Sequence, residues 1–289
     1  MTPALAEERL VFFSSGGRSL AGILTLARQS NAGEQNARTI LIPWGASTAP
    51  SSGVNRVRTR LARALADEGF NSFRFDYPGV GESEGDYKRP QMSTPLNAEI
   101  LAACAWLRSQ GLESIVIVAN CFGGWSALMA APEIEHLDGV MLVNPPVRRD
   151  HKEVRAADEP WQWWARNLKR FRLRKLLSPA YRAKYRKMLA AKSSSVAGSS
   201  GRDKRFSGAV GYLLERKIPL LIMYGDDDFR ADFDAEMSNG LASEIDRVGP
   251  PTRVVMVADR LSGFGSLDTQ ALLLKEVIPW LHSLPRASR

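Results

Sequence analysis

Two places in the chain hold side chains capable of chemistry, the first of them of covalent chemistry. The first is Cys121, within Ala119-Asn120-Cys121-Phe122-Gly123-Gly124. The apolar run Ser114-Ile115-Val116-Ile117-Val118 precedes it, and Trp125-Ser126-Ala127-Leu128-Met129-Ala130-Ala131 follows. A strand that turns straight into a helix strains the residue at the turn and needs small residues two positions either side. Ala119 and Gly123 meet that need, so the spacing predicts a nucleophile elbow with Cys121 exposed at the top of a sheet. The Phe122 N–H would then stand at a helix N-terminus, where it can stabilise an oxyanion and where the helix end favours a thiolate. The competing reading is a buried, inert cysteine after a strand. The second place is Gly225-Asp226-Asp227-Asp228, after the apolar run Pro219-Leu220-Leu221-Ile222-Met223-Tyr224.

The elements that must position these residues alternate. Val11-Phe12-Phe13 and Ile23-Leu24-Thr25-Leu26 flank a Gly16-Gly17 turn and predict a hairpin. Thr39-Ile40-Leu41-Ile42-Pro43, Ser72-Phe73-Arg74-Phe75-Asp76 and Gly139-Val140-Met141-Leu142-Val143-Asn144 predict further strands, with Thr252 to Val257 the last. Helices are expected over 56–68, 96–107, 235–242 and 269–281. Such alternation implies a mostly parallel sheet covered on both faces, with chemistry at the carboxyl ends of its strands. Trp44-Gly45-Ala46, Cys121, Asp228 and Ala258-Asp259-Arg260 all fall at such ends.

Charge is unevenly spread. The 289 residues carry a net +8, yet residues 148–206 hold 18 Lys/Arg against 5 Asp/Glu, a net +13, and the remainder is −5. That segment also holds Trp161, Trp163 and Trp164 and ends in a Ser/Gly-rich stretch at 193–201. We read core segments at 1–147 and 207–289 around a basic helical lid insertion at 148–206. Trp163 and Trp164 are candidates to line an acyl pocket. The charge would suit an acidic acyl-carrier protein, coenzyme A, or peripheral contact with anionic lipid headgroups. A solvated amphipathic face is the plainer alternative. No nucleic-acid motif accompanies the charge. No run approaches the ~18 apolar residues of a membrane span. The N-terminus lacks a basic stretch followed by an apolar one, and Cys104 and Cys121 do not make a disulfide framework, so a cytoplasmic protein is expected. Neither a metal nor a cofactor is expected.

With Pro43-Trp44-Gly45-Ala46, Phe75-Asp76-Tyr77-Pro78-Gly79-Val80-Gly81-Glu82-Ser83, the elbow, and Tyr224-Gly225-Asp226-Asp227-Asp228, the chain resembles an α/β-hydrolase over nearly its whole length. The second motif is similar to the family's Asp-x-x-Gly-x-Gly-x-Ser segment. Trp44-Gly45 stands where many members have His-Gly. The elbow also resembles those of exosortase-associated and carrier-thioester hydrolase-like proteins. The resemblance implies Cys121 as nucleophile, as in dienelactone hydrolase-like members, in place of the usual serine. It implies an oxyanion hole from the Ala46 and Phe122 amides, and Asp228 as the acid. Asp226 and Asp227 are then exposed turn residues.

The family's histidine belongs after the last strand, where Arg260 stands. His136 precedes the strand at Gly139 and His282 ends the last helix, so both read as surface residues. His151, opening the insertion, is the remaining candidate base. Arginine is no base near neutral pH. A thiolate attacks an acyl group without one, but water would lack activation. Easy acylation and slow hydrolysis suit an acyltransferase or a slow thioesterase or esterase. Trp44 and Arg260 are candidate substrate contacts, Arg260 for a carboxylate or phosphate. The alternatives are a pseudo-hydrolase that binds a ligand or partner, and a non-hydrolytic cyclase or lyase on the same scaffold.

Overall fold

A computed structural model describes residues 6–28, 38–45, 50–88, 91–147, 204–227 and 230–285. Eight strands form one sheet in the order β1-β2-β4-β3-β5-β6-β7-β8. The strands are β1 (Glu8–Ser15), β2 (Arg18–Thr25), β3 (Thr39–Leu41), β4 (Asn71–Phe75), β5 (Ile115–Asn120), β6 (Leu137–Val143), β7 (Leu220–Tyr224) and β8 (Arg253–Met256). The hairpin β1–β2 and the β2–β4 pair are antiparallel. Every pairing from β4 through β3, β5, β6 and β7 to β8 is parallel.

The helices are α1 (Val57–Asp67), α2 (Asn97–Ser109), α3 (Phe122–Ala130), α4 (Lys204–Glu215), α5 (Arg230–Glu236), α6 (Ala242–Val248) and α7 (Leu267–Ser283). Side chains alternate across a strand, so β5 serves two cores at once. Ile115, Ile117 and Ala119 join Ile100, Leu107, Trp125, Leu128, Phe206 and Leu213 of α2, α3 and α4. Val116 and Val118 join Leu61, Leu65, Leu273, Val277 and Trp280 of α1 and α7. Burial on both faces explains why the central strands are continuous apolar runs rather than alternating ones.

Two expectations need correction. The helix placed at 235–242 is a broken one: α5 and α6 flank a π-helical turn at Met237–Leu241, with Asn239 and Gly240 outside helical geometry. Lys204, Arg205 and Phe206, assigned from charge to the insertion, open α4, and Phe206 is fully buried in the core. Charge marked where the basic stretch runs, whereas packing sets where the core resumes. By compactness the chain divides into Met1–Val147 with Asp203–Arg289, and Arg148–Arg202. The second unit lies outside the described residues, and with it the expected lid. Among the described residues no helix is long and apolar enough to cross a membrane.

Candidate active site

The loops after β3, β5, β6, β7 and β8 gather at the carboxyl end of the parallel sheet. At their centre Cys121 turns β5 into α3 with φ 50° and ψ −126°, a conformation that non-glycine residues rarely adopt. Its N–H donates to the Val143 carbonyl at 2.8 Å, and its own carbonyl accepts from Gly124 at 2.9 Å and Trp125 at 3.3 Å. Space enforces the turn as well. A Cβ at position 123 would lie 2.4 Å from the Pro43 carbonyl oxygen, so only glycine lets α3 start this close to the loop after β3. A Cβ on Gly45 would lie 3.2 Å from that of Cys121. Cys121 is half-buried, while Cys104 is buried in α2, where desolvation pushes its thiol up to about 12. The two cysteines therefore differ in kind, and Cys121 is the reactive candidate.

Phe122 is the first residue of α3, so its N–H has no acceptor within the helix. Phe122 directly follows Cys121 in the chain, and this donor is free of any acceptor of the helix itself. Ala46, the expected second donor, lies outside the described residues. So do Asp228, His151, Trp163 and Trp164.

One acid that the described structure brings to this end of the sheet is Asp227. Expected as an exposed turn residue, it has a side chain only 4% exposed. Its Oδ2 accepts from the Asn144 side-chain amide and from the Leu261 N–H, the latter at 2.7 Å. Asn144 is buried after β6 with φ 46°, and its Oδ1 accepts from the Gly225 N–H at 2.9 Å. Asn144 therefore ties the loop after β6 to the loop after β7, and Asp227 carries the tie on to the loop after β8. Asp226 is exposed, as expected. Sequence reasoning missed both Asn144 and Asp227. An asparagine closing a buried strand was a usable signal, since Asn tolerates positive φ and has both a donor and an acceptor.

Arg260 lies on the same network, its Nε 3.9 Å from Asp227 Oδ1, with its side chain 64% exposed. Trp44 is buried. Its ring packs on Phe264 at 5.6 Å between centres, joining the loop after β3 to the loop after β8. For Trp44 the contact described is this packing. Tyr224, at the end of β7, is another residue not foreseen. It is fully buried, donates from its hydroxyl to the Pro145 carbonyl and stacks on Phe233. Desolvation, and then the nearby charges of Cys121, Asp232, Asp234 and Glu236, raise its pKa well above the ordinary value. A phenol shifted in this direction stays protonated near neutral pH, and its hydrogen bond ties the end of β7 to the loop after β6.

The histidines among the described residues stand at the other end of the sheet. His136 immediately precedes β6 and is exposed. His282, in the last turn of α7, meets Glu68 at 3.1 Å and packs on Phe70, just before β4. Both fit the surface roles expected of them.

The model of the alpha/beta hydrolase family matches residues 40–270. Among solved structures, the chain is similar to the Pyrococcus furiosus esterase Pf2001, with a TM-score of 0.62 and 15% identity over 96% of this chain and 92% of that one. It is also similar to the esterase domain of a Rhodothermus marinus protein, with a TM-score of 0.55 and 17% identity over 94% and 96%. The hydrolase GrgF from Penicillium sp. sh18 aligns with a TM-score of 0.57 and 14% identity over 96% and 99%. At such identities these likenesses speak to fold. A stretch of 103 residues is 30% identical to the uncharacterized protein RP471 of Rickettsia prowazekii, covering 34% of this chain and 41% of that protein.

Proposed function

The chain belongs to the alpha/beta hydrolase family, and from that premise we propose that it performs acyl transfer through a covalent Cys121 acyl-enzyme, with an ester or thioester as donor. The observation that carries this reading is the backbone of Cys121, at φ 50° and ψ −126° at the head of α3. Such strain costs roughly 1–3 kcal/mol and marks sites where geometry serves chemistry. That two structural neighbours are described as esterases agrees in kind.

In the first half-reaction the Cys121 thiolate attacks the acyl carbon. A carbon–sulfur bond forms while negative charge moves to the carbonyl oxygen, toward the Phe122 N–H and, as the resemblance implies, that of Ala46. Collapse breaks the bond to the donor's thiolate or alkoxide, which takes up the proton that the Cys121 thiol released. An acceptor nucleophile then attacks the thioester and regenerates the thiolate. Asp227 and Asn144 are positioning residues here: they hold the loops after β6, β7 and β8 in register. One observation favours a second reading, a binding protein on the same scaffold. The acid Asp227 faces Arg260, which cannot act as a base near neutral pH.

Intact-mass measurement after mixing with a short-chain acyl thioester separates the two. The expected outcome is a gain of one acyl group on the wild type and none on Cys121→Ala. A wild type that stays unmodified, with an ordinary alkylation pH profile, favours the binding protein.

A further inference from the structure

At the β1 edge of the sheet, exposed apolar side chains and open backbone fall on the same residues. Among the described residues β1 pairs with β2 alone. Leu10 and Phe12 of β1 are 61% and 53% exposed. The β1–β2 ladder runs from Glu8↔Thr25 to Ser15↔Arg18 without a bulge. Just before it, the Leu26 N–H donates to the Glu7 carbonyl at 2.9 Å. Hydrogen bonding alternates along an antiparallel pair, so Glu7, Arg9, Val11 and Phe13 bond toward β2. Glu8, Leu10, Phe12 and Ser14 then turn their N–H and C=O groups outward. The other strand shows the same alternation. Ala21 and Ser19, opposite Phe12 and Ser14, use their carbonyls away from β1, accepting from the Asp76 and Glu84 N–H groups at 2.9 Å. Side chains alternate in step: Val11 and Phe13 pack on the core, while Leu10 and Phe12 share the opposite face with half-buried Ile23 of β2.

Proteins blunt a sheet edge with proline, lysine, a bulge or an inward-pointing charge. From Leu10 to Ser15 β1 has none of these. The strand also fits itself. In an antiparallel pairing about a two-fold axis at Val11, Leu10 lies opposite Phe12 of the second copy, and Glu8 opposite its Ser14. All four outward-facing residues then exchange hydrogen bonds, and apolar meets apolar across the seam. The charged end, Glu7-Glu8-Arg9, meets the uncharged Ser14-Ser15 end, so like charges stay apart. An axis moved to Leu10 sets Glu8 against Phe12, and one moved to Phe12 sets Leu10 against Ser14. We propose that β1 is a homodimer interface, at which a second copy of the chain adds its own β1 antiparallel about the axis at Val11 and joins two eight-stranded sheets into one.

Sedimentation velocity of the full chain over a concentration series should show a dimer, twice 31.9 kDa. Phe12→Pro removes one outward N–H and leaves the bonds to β2 whole. Leu10→Lys with Phe12→Lys sets like charges opposite each other on the seam. Each should weaken the dimer by about tenfold or more, and circular dichroism melts check that the variants fold. In a Cys121→Ala background, Val11→Cys should cross-link on oxidation, because residues facing each other at the axis lie about 4.5 Å apart between Cα atoms, within disulfide reach. Ser14→Cys, whose two copies would lie about 20 Å apart along the seam, should not. A wild type that stays monomeric overturns the proposal, and so does a dimer that keeps its affinity in either variant. Affinity kept in Phe12→Pro alone replaces edge pairing with packing of the Leu10–Phe12 faces. Failure of Val11→Cys to cross-link, or cross-linking of Ser14→Cys in its place, overturns the register.

Discussion

At Cys121 the backbone conformation that makes the residue a candidate nucleophile is held by contacts from the ends of two neighbouring strands and from the first turn of α3. Val143 accepts its N–H, Gly124 and Trp125 donate to its carbonyl, and Pro43 stands against Gly123. Gly123 is the most sensitive point, because the obstacle there is backbone, which cannot swing aside. Gly123→Ala should destabilise the protein by about 1–3 kcal/mol, as overpacking does, and slow Cys121 acylation in step. Gly124→Ala is the control: its Cβ would meet Leu142 and Pro145 side-chain carbons at 3.4 Å, an ordinary contact. Urea unfolding of both variants measures the difference, and equal losses would count against the role given to Gly123.

Among elements, the stretch between β3 and α1 has the most at stake, because it leads out of the position expected to supply an oxyanion donor. It is anchored from beneath by a buried pair. Arg58 in α1 donates to the Pro50 carbonyl and, at 3.4 Å, to the Phe75 carbonyl. The Asp76 carboxylate accepts from the Ser51 backbone. Burial pushes the Asp76 carboxyl up to about 6, opposed by the positive charges of Arg58 and Arg74 and reinforced by Glu82. Arg58 is itself lowered to about 10 by burial. The folded protein thus keeps a proton on Asp76 that the unfolded chain releases near the ordinary value of 3.8. Between those two values the native state binds more protons than the unfolded state, so Asp76 makes stability fall as pH rises, and its contribution is flat above the upper one. Asp76→Asn should remove that falling component, measured as the difference between the stability–pH profiles of wild type and variant by urea unfolding. Identical slopes would place the Asp76 carboxyl in water.

Over the whole molecule the division of charge is the dominant feature, with a net +13 in residues 148–206 and −5 elsewhere. If the basic segment recruits anionic donors, as a charge of that size is expected to, it raises their local concentration and speeds their encounter. Acylation by coenzyme A thioesters should therefore slow as salt rises from about 0.01 M, where charges act over ~30 Å, to about 1 M, where they act over ~3 Å. Acylation by uncharged N-acetylcysteamine thioesters should change far less. Stopped-flow rates across that range check the claim, and parallel salt profiles would remove the basic segment from donor recruitment.

What could be read from the order of residues was local. A strand, a cysteine, a small residue on each side and a helix follow one another between 114 and 131, and those residues alone announce a turn there, although Val143 and Pro43 help to hold it. The parallel sheet was legible for a related reason: a strand buried on both faces must be apolar throughout, and β3, β5, β6 and β7 are largely so. Which polar residues meet at the carboxyl ends was fixed by how the strands pack together. Asn144 and Asp227 are 83 residues apart, and Asp227 and the Leu261 N–H are 34 apart. No period or spacing reports such contacts. Three consecutive aspartates look alike in sequence, and Asp227 stands apart because Asn144 and Leu261 converge on its carboxylate as it is withdrawn from water. Burial of a charge depends on everything packed around it, and that is settled only when the strands are side by side.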